Sequence, residues 1–146
     1  MFTISISEEI CLPPEEVFFF AGDYANDPVW RAGVTEMTYD GGVSAAVGIK
    51  TRETMRSLGR TAVTVAEITE YSRSRTAFRS VSGPVACEGS REFVGTPAGT
   101  RFSYSLTLRP EGFYRIIEPV LKLVFQGQLR GDMRRLKNHL ERRRSV

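Results

Sequence analysis

Hydrophobic and polar residues alternate along most of this chain, the pattern of a strand with one buried face. Residues 2–10 begin this way, with apolar side chains at positions 2, 4 and 6 and small polar ones between them. After Gly33, six more segments are predicted to be strands: 34–39, 47–57, 61–71, 74–82, 85–94 and 100–109. The turn sequences between them are Asp40-Gly41-Gly42, Leu58-Gly59, Ser72-Arg73, Ser82-Gly83-Pro84 and Thr96-Pro97-Ala98-Gly99. Because no helix intervenes, the strands are expected to pair antiparallel.

Two short helices are predicted after the first strand. Pro13 and Pro14 stand just before two glutamates, a helix start at which the first-turn N–H groups need no partner and favour negative charge. Asp27 followed by Pro28 repeats the signal, with Asp27 as the expected cap. The second helix would carry Trp30, the only tryptophan.

The last long segment, 113–144, is predicted to be helical, with a break near Pro119 because proline lacks an N–H and disrupts the preceding turn. Beyond the break, the expected core stripe is Leu121, Phe125, Leu129, Met133, Leu136 and Leu140. A second apolar stripe consists of Ile116, Val120, Leu123 and Val124. Either a neighbouring loop or short helix covers this second stripe, or it forms a cavity mouth, a homodimer or partner contact, or a membrane-touching patch.

Length and composition indicate one globular domain over residues 1–146, since 41% apolar content in 146 residues suffices for a core, and the predicted strands and helices make its class α+β. No apolar run approaches the ~20 residues of a membrane span, and no secretory signal pattern is present, so a cytoplasmic protein is expected. Cys11 and Cys87 show neither disulfide nor zinc-site spacing and are expected to be buried. With His139 as the only histidine and no phosphate-binding glycine loop, we expect no metal and no cofactor.

The net charge of +3 is unevenly distributed. From Gln128 to Val146 there are seven basic residues against two acidic ones, so this tail carries +5 and the remainder −2. Cations near a helix C-terminus oppose the helix dipole, which explains the tail without a nucleic-acid partner. Nucleic-acid binding is therefore not expected.

The order of elements resembles the helix-grip fold of the SRPBCC superfamily, in particular its START-like and polyketide cyclase/dehydrase members. The resemblance covers essentially the whole chain and is carried by Pro13-Pro14-Glu15-Glu16-Val17, Pro28-Val29-Trp30, Val47-Gly48, Gly99-Thr100-Arg101 and Ile116-Ile117-Glu118-Pro119-Val120-Leu121. It implies a curved antiparallel seven-stranded sheet around a long C-terminal helix, with two short helices after strand 1 and a hydrophobic cavity inside. These motifs mark a fold and leave the reaction open.

Strand alternation predicts which side chains would line that cavity. For strand 61–71 the choice is Val63, Val65 and Glu67, although the alternate residues are nearly as apolar. Tyr24 and Trp30 could gate the mouth or be ordinary core. The full set of predicted ligand-binding residues is Phe20, Tyr24, Trp30, Thr51, Glu53, Met55, Val65, Phe78, Arg91, Phe93, Phe102, Tyr104, Leu121 and Phe125.

Glu53, Glu67 and Arg91 would place charges on an otherwise apolar face, so each needs a partner. They could form a structural ion pair such as Glu53 with Arg91, lie at the wet rim, or orient a ligand's polar group. The sequence thus predicts a carrier for a hydrophobic polyketide, lipid, sterol-like compound or isoprenoid. The alternative is a cyclase, aromatase or dehydratase without metal or nucleotide cofactor, whose candidate catalytic residues are Glu53, Arg91 and Tyr104.

Overall fold

A computed structural model of the protein describes residues 1–42, 44–57 and 59–144, with the backbone alone for residue 144. The described residues form one seven-stranded antiparallel sheet in the order β1-β7-β6-β5-β4-β3-β2. The strands are β1 (Phe2–Ile10), β2 (Val34–Tyr39), β3 (Lys50–Ser57), β4 (Arg60–Tyr71), β5 (Arg75–Ser82), β6 (Ala86–Thr96) and β7 (Gly99–Arg109). The helices are α1 (Pro14–Ala21), α2 (Asp27–Trp30), α3 (Phe113–Ile116) and α4 (Glu118–Arg144). This confirms the predicted α+β helix-grip fold.

The long C-terminal helical region is broken as predicted. The break falls at Ile117, and Pro119 occupies the second position of α4, where a missing N–H leaves no hydrogen bond unmade. The predicted core stripe faces the sheet: Phe125 is half-buried, and the buried members are Leu121, Leu129, Met133, Leu136 and Leu140. One face of α4 therefore closes the concave side of the sheet.

Two glycines with positive φ lie in turns at predicted strand boundaries. The segment predicted from residue 47 becomes a strand only at Lys50, because Gly48 adopts φ 89° in a turn and donates its N–H to the carbonyl of Ile68 (2.8 Å). In the predicted turn Leu58-Gly59, Leu58 lies outside the described residues, whereas Gly59 is a turn residue with φ 74°.

The inward face predicted for β4 was wrong. Val63 is 44% exposed, and the inward residues are instead Ala62, Thr64, Ala66 and Ile68. Pairing with β3 decides this, since Thr51 lies opposite Ala66 and directly opposed residues share a face. Val65 and Glu67 consequently lie on the outer side, where Glu67 is opposite Lys50 and Arg79.

Gly99 in the β6–β7 turn lies close against the chain that leads into α1. Its φ of 147° is unfavourable for other residues, and an added Cβ would lie 2.9 Å from the amide nitrogen of Leu12. The neighbouring Thr100 is fully buried and donates its hydroxyl to the Leu12 carbonyl (2.7 Å). These contacts fasten the chain leading into α1 to the end of the sheet.

Candidate ligand-binding cavity

A cavity of about 190 Å³ lies between the concave face of the sheet and the first half of α4. Its mouth is bordered by exposed or half-buried residues of the hairpin turns and α3, namely Ser57, Arg60, Pro84 and Tyr114. The walls are mostly apolar: Met37, Met55, Ala62, Ala66, Phe78, Val85, Leu106, Leu108, Leu121, Phe125 and Leu129. Polar side chains gather at the other, buried end.

A buried ion pair between Arg91 and Asp27 lies behind that end. Both side chains are fully buried, and Arg91 donates from Nη1 and Nη2 to the two oxygens of Asp27 at 2.9 and 2.6 Å. Arg91 also donates to the Ala21 carbonyl, and its Cζ lies 4.3 Å from the ring centroid of Tyr24 and 4.9 Å from that of Tyr104. Burial acts to lower the pKa of Arg91, but the charge and hydrogen bonds of Asp27 together with the neighbouring Tyr104 and Tyr24 outweigh it, and the pKa is raised.

Arg31 continues this network into the cavity. Its Nη1 donates to Asp27 Oδ2 at 3.0 Å and to Glu53 Oε2 at 2.8 Å. The four side chains Arg91, Asp27, Arg31 and Glu53 thus alternate in charge, and their formal charges cancel. Burial opposes the charged form of Arg31, yet Glu53 and its other neighbours raise the pKa of Arg31 well above its ordinary value. The Nε of Arg31 is buried and has no hydrogen-bond partner among the described residues.

The helix α4 contributes two polar side chains to the same end. Asp132 accepts the backbone N–H of Ala32 (3.1 Å) and pairs with Arg135, while burial raises the pKa of its carboxyl group. Gln128 packs its amide against Gly33, and its buried Oε1 is unpartnered within the described part of the chain. Among the described residues, one buried donor and one buried acceptor at this end are therefore unmatched.

Two further side chains that line the cavity carry polar groups. Cys87 is half-buried, and burial, followed by the charge of Glu53, raises the pKa of its thiol, so the neutral form prevails at pH 7. A neutral thiol is a weak nucleophile. Tyr24 donates its hydroxyl to Thr76 (3.0 Å), and burial raises its pKa to about 12. Neither group is activated for chemistry in this arrangement.

Nine of the fourteen predicted ligand-binding side chains line the cavity; ligand contact by them stays a prediction. They are Tyr24, Thr51, Glu53, Met55, Phe78, Arg91, Tyr104, Leu121 and Phe125. Strand alternation identified the faces of β3, β5, β6 and β7 that are turned toward the cavity, and strand pairing aligns these faces.

The other five predicted side chains lie away from the cavity. Trp30, Phe93 and Phe102 pack on one another in the solid core, with the Trp30 and Phe102 rings 6.1 Å apart. Phe20 stacks on His139 of α4, at 4.9 Å between ring centroids. Val65 is on the outer face because the face chosen for β4 was wrong. Of the two readings of Trp30, the structure supports core, since it is fully buried.

The ion pair between Glu53 and Arg91, one of the alternatives left open by the sequence, does not form. Their partners are Arg31 and Asp27, both contributed by the segment around α2. Asp27 is not the cap of that helix, since Asn26 occupies the cap position. The available signal was the spacing of Asp27 and Arg31, four residues apart with opposite charges. Gln128 and Asp132 were also missed, because they belong to neither of the two apolar stripes predicted for this helix.

No three metal-ligating side chains among the described residues are grouped so that they could hold a metal ion. Nor does any helix in the described ranges have the length and apolarity needed to cross a membrane. Cys11, expected to be buried, is exposed.

The fold is similar to those of several solved proteins. A protein of Thermus thermophilus aligns with a TM-score of 0.82 at 18% identity, covering 95% of this chain and 97% of that chain. A START superfamily protein from Mycobacterium smegmatis has a TM-score of 0.78 at 15% identity, with 96% and 97% covered. The Zhui aromatase/cyclase from Streptomyces sp. R1128 has a TM-score of 0.78 at 14% identity, with 97% and 94% covered. At these identities the likeness concerns the fold.

No curated protein matches the chain in sequence. The family described as "Polyketide cyclase / dehydrase and lipid transport" matches it over residues 1–141. Because this match spans nearly the whole chain, the protein belongs to the polyketide cyclase/dehydrase and lipid transport family.

Proposed function

We propose that this protein is a carrier that binds a hydrophobic small molecule, such as a polyketide, lipid or isoprenoid, between the sheet and α4. The observation that carries the proposal is the cavity of about 190 Å³ with apolar walls and a polar inner end. Apolar burial would supply most of the affinity, and the polar end would set the orientation.

The size of the cavity restricts the part of a ligand that it can enclose. Its volume of about 190 Å³ exceeds the roughly 150 Å³ of an engineered cavity that holds benzene. It is smaller than the roughly 300–1,000 Å³ of pockets that enclose drug-sized molecules. One or two rings or a short chain would fit inside, and a longer molecule would extend through the mouth beside Arg60 and Tyr114.

The polar end favours a ligand whose enclosed tip both accepts and donates a hydrogen bond. Arg31 Nε is an unpartnered donor and Gln128 Oε1 an unpartnered acceptor among the described residues. A buried unmatched polar group costs about 1–3 kcal/mol, which a ligand oxygen can recover. A hydroxyl group, or a neighbouring carbonyl and hydroxyl, meets both requirements.

A pair of adjacent substitutions on β4 tests where the ligand binds. Ala62 lines the cavity, whereas the next residue, Val63, faces outward and is 44% exposed. Binding of the fluorescent apolar probe N-phenyl-1-naphthylamine would be titrated to wild type, Ala62→Phe and Val63→Phe. We expect the Ala62 variant to bind at least about tenfold more weakly, because the added ring occupies the cavity, and Val63→Phe to resemble wild type. Equal binding by all three proteins would refute the proposed cavity.

Native mass spectrometry of freshly purified protein provides a direct measurement. A mass increment carried by wild type and Val63→Phe, and absent from Ala62→Phe, would identify a co-purified occupant of the cavity.

A cytoplasmic location remains a prediction.

A cyclase, aromatase or dehydratase acting in the same cavity is the second candidate function. It is favoured by the convergence of Glu53, Arg31, Asp132 and Tyr104 at the inner end, where a ketone-bearing substrate would meet several polar groups. Arg91, the third predicted catalytic residue, is engaged with Asp27 and is better suited to positioning. In Glu53→Gln and Tyr104→Phe, loss of turnover of a poly-β-ketone substrate with probe affinity retained would favour the enzyme. Absence of turnover in wild type would favour the carrier.

A further inference from the structure

Four large apolar side chains at the start of the C-terminal helical region face solvent. Phe113, Ile116, Val120 and Leu123 are 67, 79, 57 and 72% exposed, and we refer to them as the apolar ridge. Val124, predicted to share this surface, is half-buried. Contiguous exposed apolar side chains of this size mark a contact surface on a protein.

The same segment also forms part of the cavity wall. Tyr114 of α3 and Leu121 and Phe125 of α4 line the cavity, while their neighbours on the ridge point outward. The segment 113–125 is therefore apolar on two sides, one toward the cavity and one toward solvent. Whatever covers the ridge lies beside the mouth.

The charges around the ridge distinguish between possible occupants. Arg115, Lys122 and Arg130 are exposed, and the one acidic residue between positions 113 and 130, Glu118, is paired with the N-terminal ammonium (2.8 Å). Two copies of this surface placed face to face would bring like charges together. An anionic lipid surface instead offers both an apolar layer for the ridge and negative headgroups for the cations.

We propose that segment 113–125 docks on an anionic lipid bilayer, with the apolar ridge inserted at the interface and the cavity mouth held against the lipid. An apolar ligand could then pass between bilayer and cavity without crossing water. This inference rests on the proposed function, because a lipid-facing mouth serves a carrier of apolar molecules.

Vesicle flotation of the full chain tests the proposal. Vesicles of phosphatidylcholine alone would be compared with vesicles of phosphatidylcholine mixed with phosphatidylglycerol, using wild type and Ile116→Asp/Leu123→Asp. We expect wild type to float with the anionic vesicles and the double variant to bind at least about tenfold more weakly, since two apolar anchors become charged. Phe19→Asp is the matched control, because Phe19 is 66% exposed on α1. It should float like wild type.

A charge reversal provides an independent variant that leaves the ridge intact. Lys122→Glu should weaken binding to anionic vesicles by about an order of magnitude, and the loss should shrink at high salt. The proposal is overturned if wild type fails to float with anionic vesicles, or if the ridge variant floats as well as wild type. A concentration-dependent dimer abolished by Ile116→Asp/Leu123→Asp would assign the ridge to a second copy and also overturn it.

Titration of N-phenyl-1-naphthylamine in the absence of vesicles separates this proposal from the proposed function. Probe binding without flotation would refute membrane docking alone. Flotation of a protein that takes up no probe would refute the carrier function, whereas the ridge would still be a lipid-binding surface.

Discussion

Removing the charge of Asp27 should strongly destabilise the folded protein. Asp27 is fully buried and accepts hydrogen bonds from Nη1 and Nη2 of Arg91 and from Nη1 of Arg31. In Asp27→Asn the network keeps the carboxylate of Glu53, which pairs with Arg31, so the buried guanidinium of Arg91 loses its anionic partner and cannot relieve this by losing its proton. Removing one partner of a buried ion pair costs about 3–5 kcal/mol.

That cost converts to a measurable shift in melting temperature. At roughly 2.1 cal/mol/K per residue, a chain of this length has an unfolding entropy of about 0.3 kcal/mol/K, so the melting temperature should fall by about 10–16 °C. The assay is thermal unfolding followed by tryptophan fluorescence, since the only tryptophan, Trp30, is buried with its ring 5.2 Å from Arg91 Cζ.

Glu88→Gln is the matched control for the same chemical change at the surface. Glu88 pairs with Arg109 at 2.8 Å, but both side chains are nearly half exposed, so its loss should cost less than about 1 kcal/mol. If Asp27→Asn costs no more than Glu88→Gln, the buried network does not stabilise the fold as described. In Asp27→Asn/Arg91→Met the uncompensated cation is gone, and the double variant should be less destabilised than the sum of the two single ones.

Three further predictions concern the turn, the α4 carboxylate and the cavity thiol. Gly99→Ala should destabilise by about 2 kcal/mol or more in urea unfolding, because the new Cβ meets backbone at a strained φ; a change below about 0.5 kcal/mol would contradict this. Burial raises the pKa of the Asp132 carboxyl group above 3.8, so the folded state binds a proton at this group more tightly than the unfolded state does. The stability that this protonation contributes therefore falls as pH rises from 3.8 through the raised pKa. Asp132→Asn should therefore lose less stability than wild type between acidic and neutral pH, and parallel urea midpoints would refute this. In a Cys11→Ser background, Cys87 should react with iodoacetamide at pH 8 more slowly than free cysteine does, and more slowly still when the probe is bound. Mass spectrometry would follow the reaction. Equal rates for Cys87 and free cysteine would exclude the raised thiol pKa.

Local sequence patterns were sufficient where a segment has one clearly apolar side. In β7 the inward residues Phe102, Tyr104 and Leu108 are all buried, because alternation leaves only one face that can meet the core. The break before Pro119 and the core face of α4 follow from equally local rules. Strand pairing and helix covering then follow from the order of the elements.

β4 shows where such patterns were insufficient. Its two faces are almost equally apolar, and alternation could not choose between Val63 and Ala62. The pairing of Thr51 with Ala66 made the choice, and it depends on the register between two strands. The same limit explains the missed partners of Glu53 and Arg91, since strand alternation identifies a face but not what approaches it.

The chain's own pattern of residues thus specified the sheet, the covering helix and most of the apolar cavity wall, because burial of one face is a local requirement. The charged inner end was decided by three-dimensional packing. Asp27 reaches Arg91 across 64 positions in the sequence because a four-residue helix packs beneath the sheet. Buried charges must be matched wherever packing brings them together, so their partners depend on contacts between distant segments.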